Sequence, residues 1–280
     1  YAAYAIGAAL VDTEIQVTDA ELAEMNVEKG MMTLVDQARQ RDMLTTLFDH
    51  LIRANHASGG SAGNSMIATA MMGAPTYMSC KVAQDADGDI YLADLEQSGV
   101  AHGLTERSTD GVTGKCVVLI TPDAERSLNT HLGISETLST DEVDEAAIKD
   151  SEWVYLEGYL VTSPTGHAAA LKTKALAEAH GVKTAVSFSD PGMVKFFRDN
   201  MAAMVEGGVE LVDCVGSKSI SNVRTIKCNP NCSLVYGPVI CDVFKIESFE
   251  LAPPRSVKDV RNIRQVRHWT PEYSRLVVVD

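Results

Sequence analysis

The strongest chemical signal in the chain is seven consecutive residues, Ser58-Gly59-Gly60-Ser61-Ala62-Gly63-Asn64. Paired glycines let the backbone approach a ligand closely, and a helix that follows points its free N–H groups at whatever is bound. Asn64 adds an amide that both donates and accepts, which suits sugar hydroxyls better than a bare anion. The same loop reads equally as a Gly-rich turn whose Asn caps the helix. Upstream, Asp12 is a carboxylate able to accept from a pair of vicinal hydroxyls; taken alone it also reads as a solvated turn residue after a strand. Two phosphate-binding patterns are absent. No Gly-x-Gly-x-x-Gly follows the first strand, where only Gly7 stands, and there is no Gly-x-x-x-x-Gly-Lys-Ser/Thr loop.

These residues have to be positioned by regular elements. Residues 4–11 form an apolar run read as one buried strand, with Asp12 at its end. Thr18 and Glu21 make a capping box for a short helix to about Met25, and 31–35 is a strand candidate. A single helix is expected over 36–55, with Leu44, Leu47, Phe48, Leu51 and Ile52 on one buried face. The Gly-rich turn at 58–63 leads into a helix from about Asn64 that stops at Gly73. Residues 77–82 read as a strand, and a helix over 87–97 closes at Gly99. Strands at 116–120 and 127–131 flank a hairpin turn over 121–126. Ser139 and Glu142 cap an acidic helix to about Lys149, and 153–160 is a strand. Ser163 and Pro164 then open a helix that ends before Gly181. Strands at 183–188 and 209–212 complete the set.

Alternating strand and helix give the α/β class with a mainly parallel sheet, in which ligands bind beyond the carboxyl ends of the strands. Asp12 and the 59–64 loop both fall at that end. The strands outside the alternation, near 14–17, 31–35, 116–120 and 127–131, predict a small accessory sheet placed as a lid.

Composition narrows the class. Of 280 residues, 45% are apolar and 22% charged, which excludes disorder and is enough for one large domain or two modest ones. A formal net charge of −14 argues against nucleic-acid or anionic-membrane partners. Six Cys are too few for a disulfide scaffold, and no apolar run approaches the roughly eighteen residues that span a bilayer. The expectation is a cytoplasmic globular protein. Composition shifts after Asp213: residues 214–280 hold two of the 20 Gly but four of the six Cys, with ten basic against six acidic residues. Such a break fits a separate domain, or a frameshifted or mis-sequenced terminus.

Taken together, these segments resemble the ribokinase-like, PfkB-type carbohydrate and nucleoside kinases. The loop Gly59-Gly60-Ser61-Ala62-Gly63-Asn64 followed by Ala68 is similar to the family's N-terminal motif, and Gly7-Ala8-Ala9-Leu10-Val11-Asp12 to its opening strand. Lys81-Val82, Asp85, Gly88, Leu95 and Gly99 resemble the segment after that motif. Thr113-Gly114-Lys115-Cys116, then Thr121-Pro122-Asp123-Ala124-Glu125-Arg126, Thr130, Gly133 and Glu157-Gly158-Tyr159, resemble the adenosine-kinase-like branch. Ala8 departs from the Asn that animal adenosine kinases carry there. The resemblance covers about 4–213.

What it implies is a three-layer α/β/α fold with a β-sheet lid through which two copies pair. The implied reaction is transfer of the γ-phosphoryl of ATP, with Mg²⁺, to a hydroxymethyl group of a sugar or nucleoside. Asp12, Gly59, Gly60 and Asn64 would hold sugar hydroxyls, and Arg126 would lie near the phosphoryl path, where a fixed cation offsets developing charge; as a surface hairpin Arg it would do neither. The family completes its site late, with an Asn-x-x-Glu segment and a Gly-Ala-Gly-Asp motif whose Asp is the base. Neither follows Asp213 here, and Asp242, in Cys241-Asp242-Val243-Phe244, is a weak stand-in without the glycines. The expectation is therefore a sugar or nucleoside kinase whose chain as written binds without turning over; the alternative is a non-catalytic binding protein on the same scaffold.

Overall fold

The computed structural model describes residues 1–53, 55–104, 107–189 and 191–213. In chain order its elements are β1 (Ala3–Ile6), β2 (Leu10–Gln16), α1 (Asp19–Glu24), β3 (Met32–Leu34), α2 (Gln37–Thr46), β4 (Asn55–Gly59), α3 (Ser61–Met71), β5 (Thr76–Ser79), α4 (Ala86–Gln97) and β6 (Val100–His102). They continue as β7 (Gly114–Ile120), β8 (Arg126–His131), α5 (Glu145–Lys149), β9 (Trp153–Leu156), α6 (Pro164–His180), β10 (Lys183–Ser187), α7 (Pro191–Phe196), α8 (Arg198–Val205) and β11 (Leu211–Asp213).

Two sheets result. The central one has the order β11-β10-β9-β1-β5-β6, and every pair in it is parallel. On one face, Met66 of α3 and Tyr91 and Leu95 of α4 pack against Ala5 and Met78. On the other, Ala169, Ala170 and Ala177 of α6, Ile148 of α5 and Met204 of α8 cover Val154, Leu156 and Val186. Helices on both faces make the three-layer α/β/α arrangement that the ribokinase-like resemblance implies. The second sheet, order β3-β8-β7-β2-β4, mixes parallel and antiparallel pairs. Leu22, Met43 and Leu47 cover one of its faces through Ile15, Val117 and Leu119. The residues alternating with them on β2, Asp12 and Glu14, belong to the opposite face.

Local chemistry accounts for most helix ends. The Thr18–Glu21 capping box opens α1. Ser163 accepts from the Gly166 N–H and Pro164 takes the first turn of α6, which ends at Gly181 in the left-handed region, φ 69°.

Four expectations are corrected. The run 4–11 is not one strand: β1 ends at Ile6, the chain turns through 7–9, and β2 starts a new sheet, so Asp12 lies inside β2 and not at the end of β1. The helix expected over 36–55 stops at Thr46, is followed by a 3₁₀ turn over Phe48–Arg53, and gives way to β4. Phe48, assigned to the buried face, is exposed. β4 reads Asn-His-Ala-Ser-Gly, with no β-branched residue, and exists because β2 offers it a pairing edge from Leu10 to Glu14. The strand expected over 153–160 ends at Leu156, because Glu157 turns out of the sheet into a 3₁₀ segment, Gly158–Thr162.

Candidate functional site

In the central sheet β1 lies between β5 and β9, the point at which the strand order reverses and beyond whose carboxyl ends open α/β sheets bind their ligands. Three segments meet at that end: the 7–9 link, Glu157 just past β9, and the first turn of α3. The α3 N-terminus has no cap of its own. Its N-cap is Gly60, at φ 87°, where a Cβ would overlap the Ala8 carbonyl oxygen. The alternative in which Asn64 caps the helix is thereby removed: Asn64 is already within the first turn, its N–H donating to the Gly60 carbonyl, and its side chain is exposed.

Capping comes instead from the end of β9. The Glu157 carboxylate is fully buried; its Oε1 accepts from Ser61 Oγ at 2.7 Å and the Ala62 N–H at 3.1 Å, and its Oε2 from the Ala8 N–H at 2.6 Å. Burial pushes its pKa up, and these hydrogen bonds, with one from the Ser61 backbone, oppose that shift. A negative group at a helix N-terminus also meets the positive end of its dipole. Sequence reading gave Glu157 no role beyond its place in the resemblance. The available signal was a lone carboxylate closing the apolar run Trp153-Val154-Tyr155-Leu156.

Asp12 is placed differently. On β2 it pairs in register with Ala57 and Cys116, and its carboxylate lies against Gly59, where a Cβ would overlap it. Burial pushes its pKa up to about 6; the Arg126 guanidinium restrains the rise and Glu14 adds to it. Arg126 opens β8, and its Nη2 donates to Glu14 Oε1 at 2.8 Å. Its Nε is buried with no acceptor among the described residues. The structure therefore brings Asp12, Gly59 and Gly60 together, puts Asn64 one helical turn away, and places Arg126 on the same sheet as Asp12 with its charge felt there. Asp85 links core to lid: Oδ1 caps α4 through the Gly88 N–H at 2.8 Å, while Oδ2 accepts from the Thr113 N–H, also at 2.8 Å, just before β7.

The loop also has the spacing of a hydrolase nucleophile elbow, Gly59-x-Ser61-x-Gly63. Geometry removes that reading, because the Ser61 hydroxyl spends its hydrogen on a carboxylate that two backbone N–H groups already engage. Asp242 lies outside the described residues. Among the described residues no group of three His, Cys, Asp or Glu side chains could hold a metal ion, and no helix is long and apolar enough to cross a membrane.

Comparison with known proteins bears on the family and the fold. The sequence profile described as "pfkB family carbohydrate kinase" matches residues 32–213. A ribokinase from Mus musculus is 27% identical over 126 residues, 45% of this chain and 38% of that protein. Among solved structures, a probable sugar kinase from Rhizobium etli CFN 42 superposes with a TM-score of 0.70 at 30% identity, over 76% of this chain and 63% of that one. The adenosine kinase from Sinorhizobium meliloti gives 0.70 at 32% identity, over 76% and 64%. The chain thus spans less than two thirds of each of these proteins.

Proposed function

The chain belongs to the pfkB family of carbohydrate kinases, and from that premise we propose that residues 1–213 form the acceptor-binding part of a kinase for a sugar or nucleoside hydroxymethyl group. The observation that carries this reading is the meeting of Asp12, Gly59 and the first turn of α3 at the topological switch point. A half-buried carboxylate with its pKa near 6 is ionised at neutral pH and accepts from two vicinal hydroxyls. Asn64, freed from capping, supplies a donor and an acceptor one turn away. The relatives include a ribokinase, a sugar kinase and an adenosine kinase, so pentoses and nucleosides are the acceptors to try.

The donor in this proposal is ATP with Mg²⁺, which supplies the electrophilic phosphoryl group. The buried, unpartnered Nε of Arg126 fits an anionic oxygen brought against the lid. A Mg²⁺ of this kind would be held mainly by the phosphate oxygens and water, with one or two carboxylates. One feature of the sequence favours a second reading, a binding protein without turnover: no Gly-Ala-Gly-Asp follows Asp213. Loss of a general base alone costs ~10²–10⁴-fold in rate.

Calorimetry with ribose and adenosine tests the site. Asp12→Ala and Asn64→Ala should each weaken binding by about 1–3 kcal/mol, because buried ligand hydroxyls lose their partners; wild-type affinity in both variants would remove the acceptor from this loop. A coupled ADP-release assay separates the two readings. The chain as written should bind without releasing ADP, and residues 1–213 joined to an intact family C-terminus should turn over.

A further inference from the structure

We infer that Glu157 is a positioning residue that fastens the substrate loop to the crossing between the two sheets. The inference rests on the reading of 59–64 as the acceptor loop.

The chain passes from central sheet to lid at 7–9, between β1 and β2, and returns at Gly60, between β4 and α3. These crossings touch: a Cβ on Gly60 would overlap the Ala8 carbonyl, and one on Gly7 would meet Ala62 and Glu157. Glu157 bonds both at once. Oε2 takes the N–H of Ala8 on the outgoing segment; Oε1 takes the Ser61 hydroxyl and the Ala62 N–H on the returning one. Ala9, next along, is held separately, its N–H donating to Ser135 Oγ at 3.2 Å.

With both oxygens engaged and no exposed surface, the carboxylate acts through the loop it holds. Only a carboxylate can do this. Gln has one acceptor oxygen, so whichever way its amide turns, an N–H on one crossing faces an NH₂ group. Glu157→Gln should then loosen one crossing from the other while filling the same volume. The binding-competent loop would be populated less often, and apparent affinity would fall by that fraction.

The test combines ligand affinity with backbone amide exchange on the full chain, using ribose and adenosine as probes. Glu157→Gln should weaken affinity ~10-fold or more and raise exchange at both Ala8 and Ala62. Leu95→Ala, a cavity variant in the core under α4, should lower thermal stability at least as much yet leave affinity unchanged at a temperature where it is folded. Equal affinity in wild type and Glu157→Gln, or a parallel loss in Leu95→Ala, overturns the inference. Should Glu157→Gln not fold, Ser61→Ala removes the hydroxyl donor and leaves the backbone donors in place. Exchange should then rise at Ala8, on the other crossing, and an unaltered Ala8 amide overturns the coupling. If the wild-type chain binds neither probe, the acceptor reading fails, while the exchange measurements still decide whether Glu157 joins the two crossings.

Discussion

Glu157 and Asp12 are two carboxylates beside the same Gly59–Gly60 segment, one at the end of the central sheet and one on the second sheet, and the protein treats them in opposite ways. Glu157 is fully buried and satisfied by backbone N–H groups and the Ser61 hydroxyl of the chain itself. Asp12, on the face of the lid sheet opposite the α1–α2 cover, has an ion-paired Arg126 nearby and a pKa raised to about 6. The first is committed to holding backbone. The second is left with acceptor capacity that a ligand can use. The same contrast runs through the sheets that carry them: the central sheet is parallel and covered on both faces, and the lid is mixed and covered on one.

The largest expected effect probes the boundary between the two. Gly60 and Gly181 both have positive φ, but a Cβ at Gly181 meets nothing within 4 Å, whereas one at Gly60 runs into the Ala8 carbonyl. Gly181→Ala should cost about 1 kcal/mol from backbone strain alone. Gly60→Ala should cost about 3–4 kcal/mol, strain and overlap together. Urea unfolding of both variants checks this, and equal losses would mean that the crossing yields where the geometry says it is packed.

A smaller effect, with opposite sign, is expected on the lid. The folded-state pKa of Asp12 lies above its unfolded value of 3.8, so the folded chain holds this proton more tightly than the unfolded one. Stability from this group is complete below 3.8 and is lost as pH rises through about 6. Asp12→Asn removes the cost of ionisation and should stabilise the chain at pH 7.5 by about 1–2 kcal/mol, discounted for partial exposure, while weakening acceptor binding. At pH 3.5 the gain should vanish. Unfolding curves at the two pH values check the sign, and a gain of the same size at both would mean that ionisation is not its source.

The smallest effect concerns the Arg126–Glu14 pair, both partners more than a third exposed. Arg126→Ala should change stability by less than about 1 kcal/mol, yet move the Asp12 pKa further up, since the guanidinium is what restrains it. Titration of Asp12 by NMR reads this directly, and an unmoved pKa would place Arg126 outside the electrostatic reach of the site.

Elements with local causes were legible in the sequence. The caps at Thr18, Ser163 and Gly181 act within a few residues of themselves, and α1 and α6 begin or end where those residues dictate. The hairpin at 121–126 was equally readable, and its strands β7 and β8 pair antiparallel, Lys115 opposite His131 and Ile120 opposite Arg126. β4 was not readable, because nothing in Asn-His-Ala-Ser-Gly favours a strand until β2 supplies the edge. The break at 7–9 was hidden for a related reason: an apolar run carries no mark of which sheet each half joins.

For the candidate site, residue types and spacing alone determined the Gly59–Gly60 approach and the chemical capacity of Asp12 and Asn64, since glycine permissiveness and carboxylate or amide valence are properties of single residues. Tertiary structure decided which carboxylate was left available. Asp12 and Glu157 are identical in their hydrogen-bonding capacity, and what separates them is which donors the fold brings within reach: backbone N–H groups and a hydroxyl around Glu157, and near Asp12 a glycine without a side chain and a guanidinium whose hydrogen bond goes to Glu14. Donor placement of that kind depends on segments about 150 residues apart in sequence, Ala8 and Glu157 among them, and no local pattern encodes it.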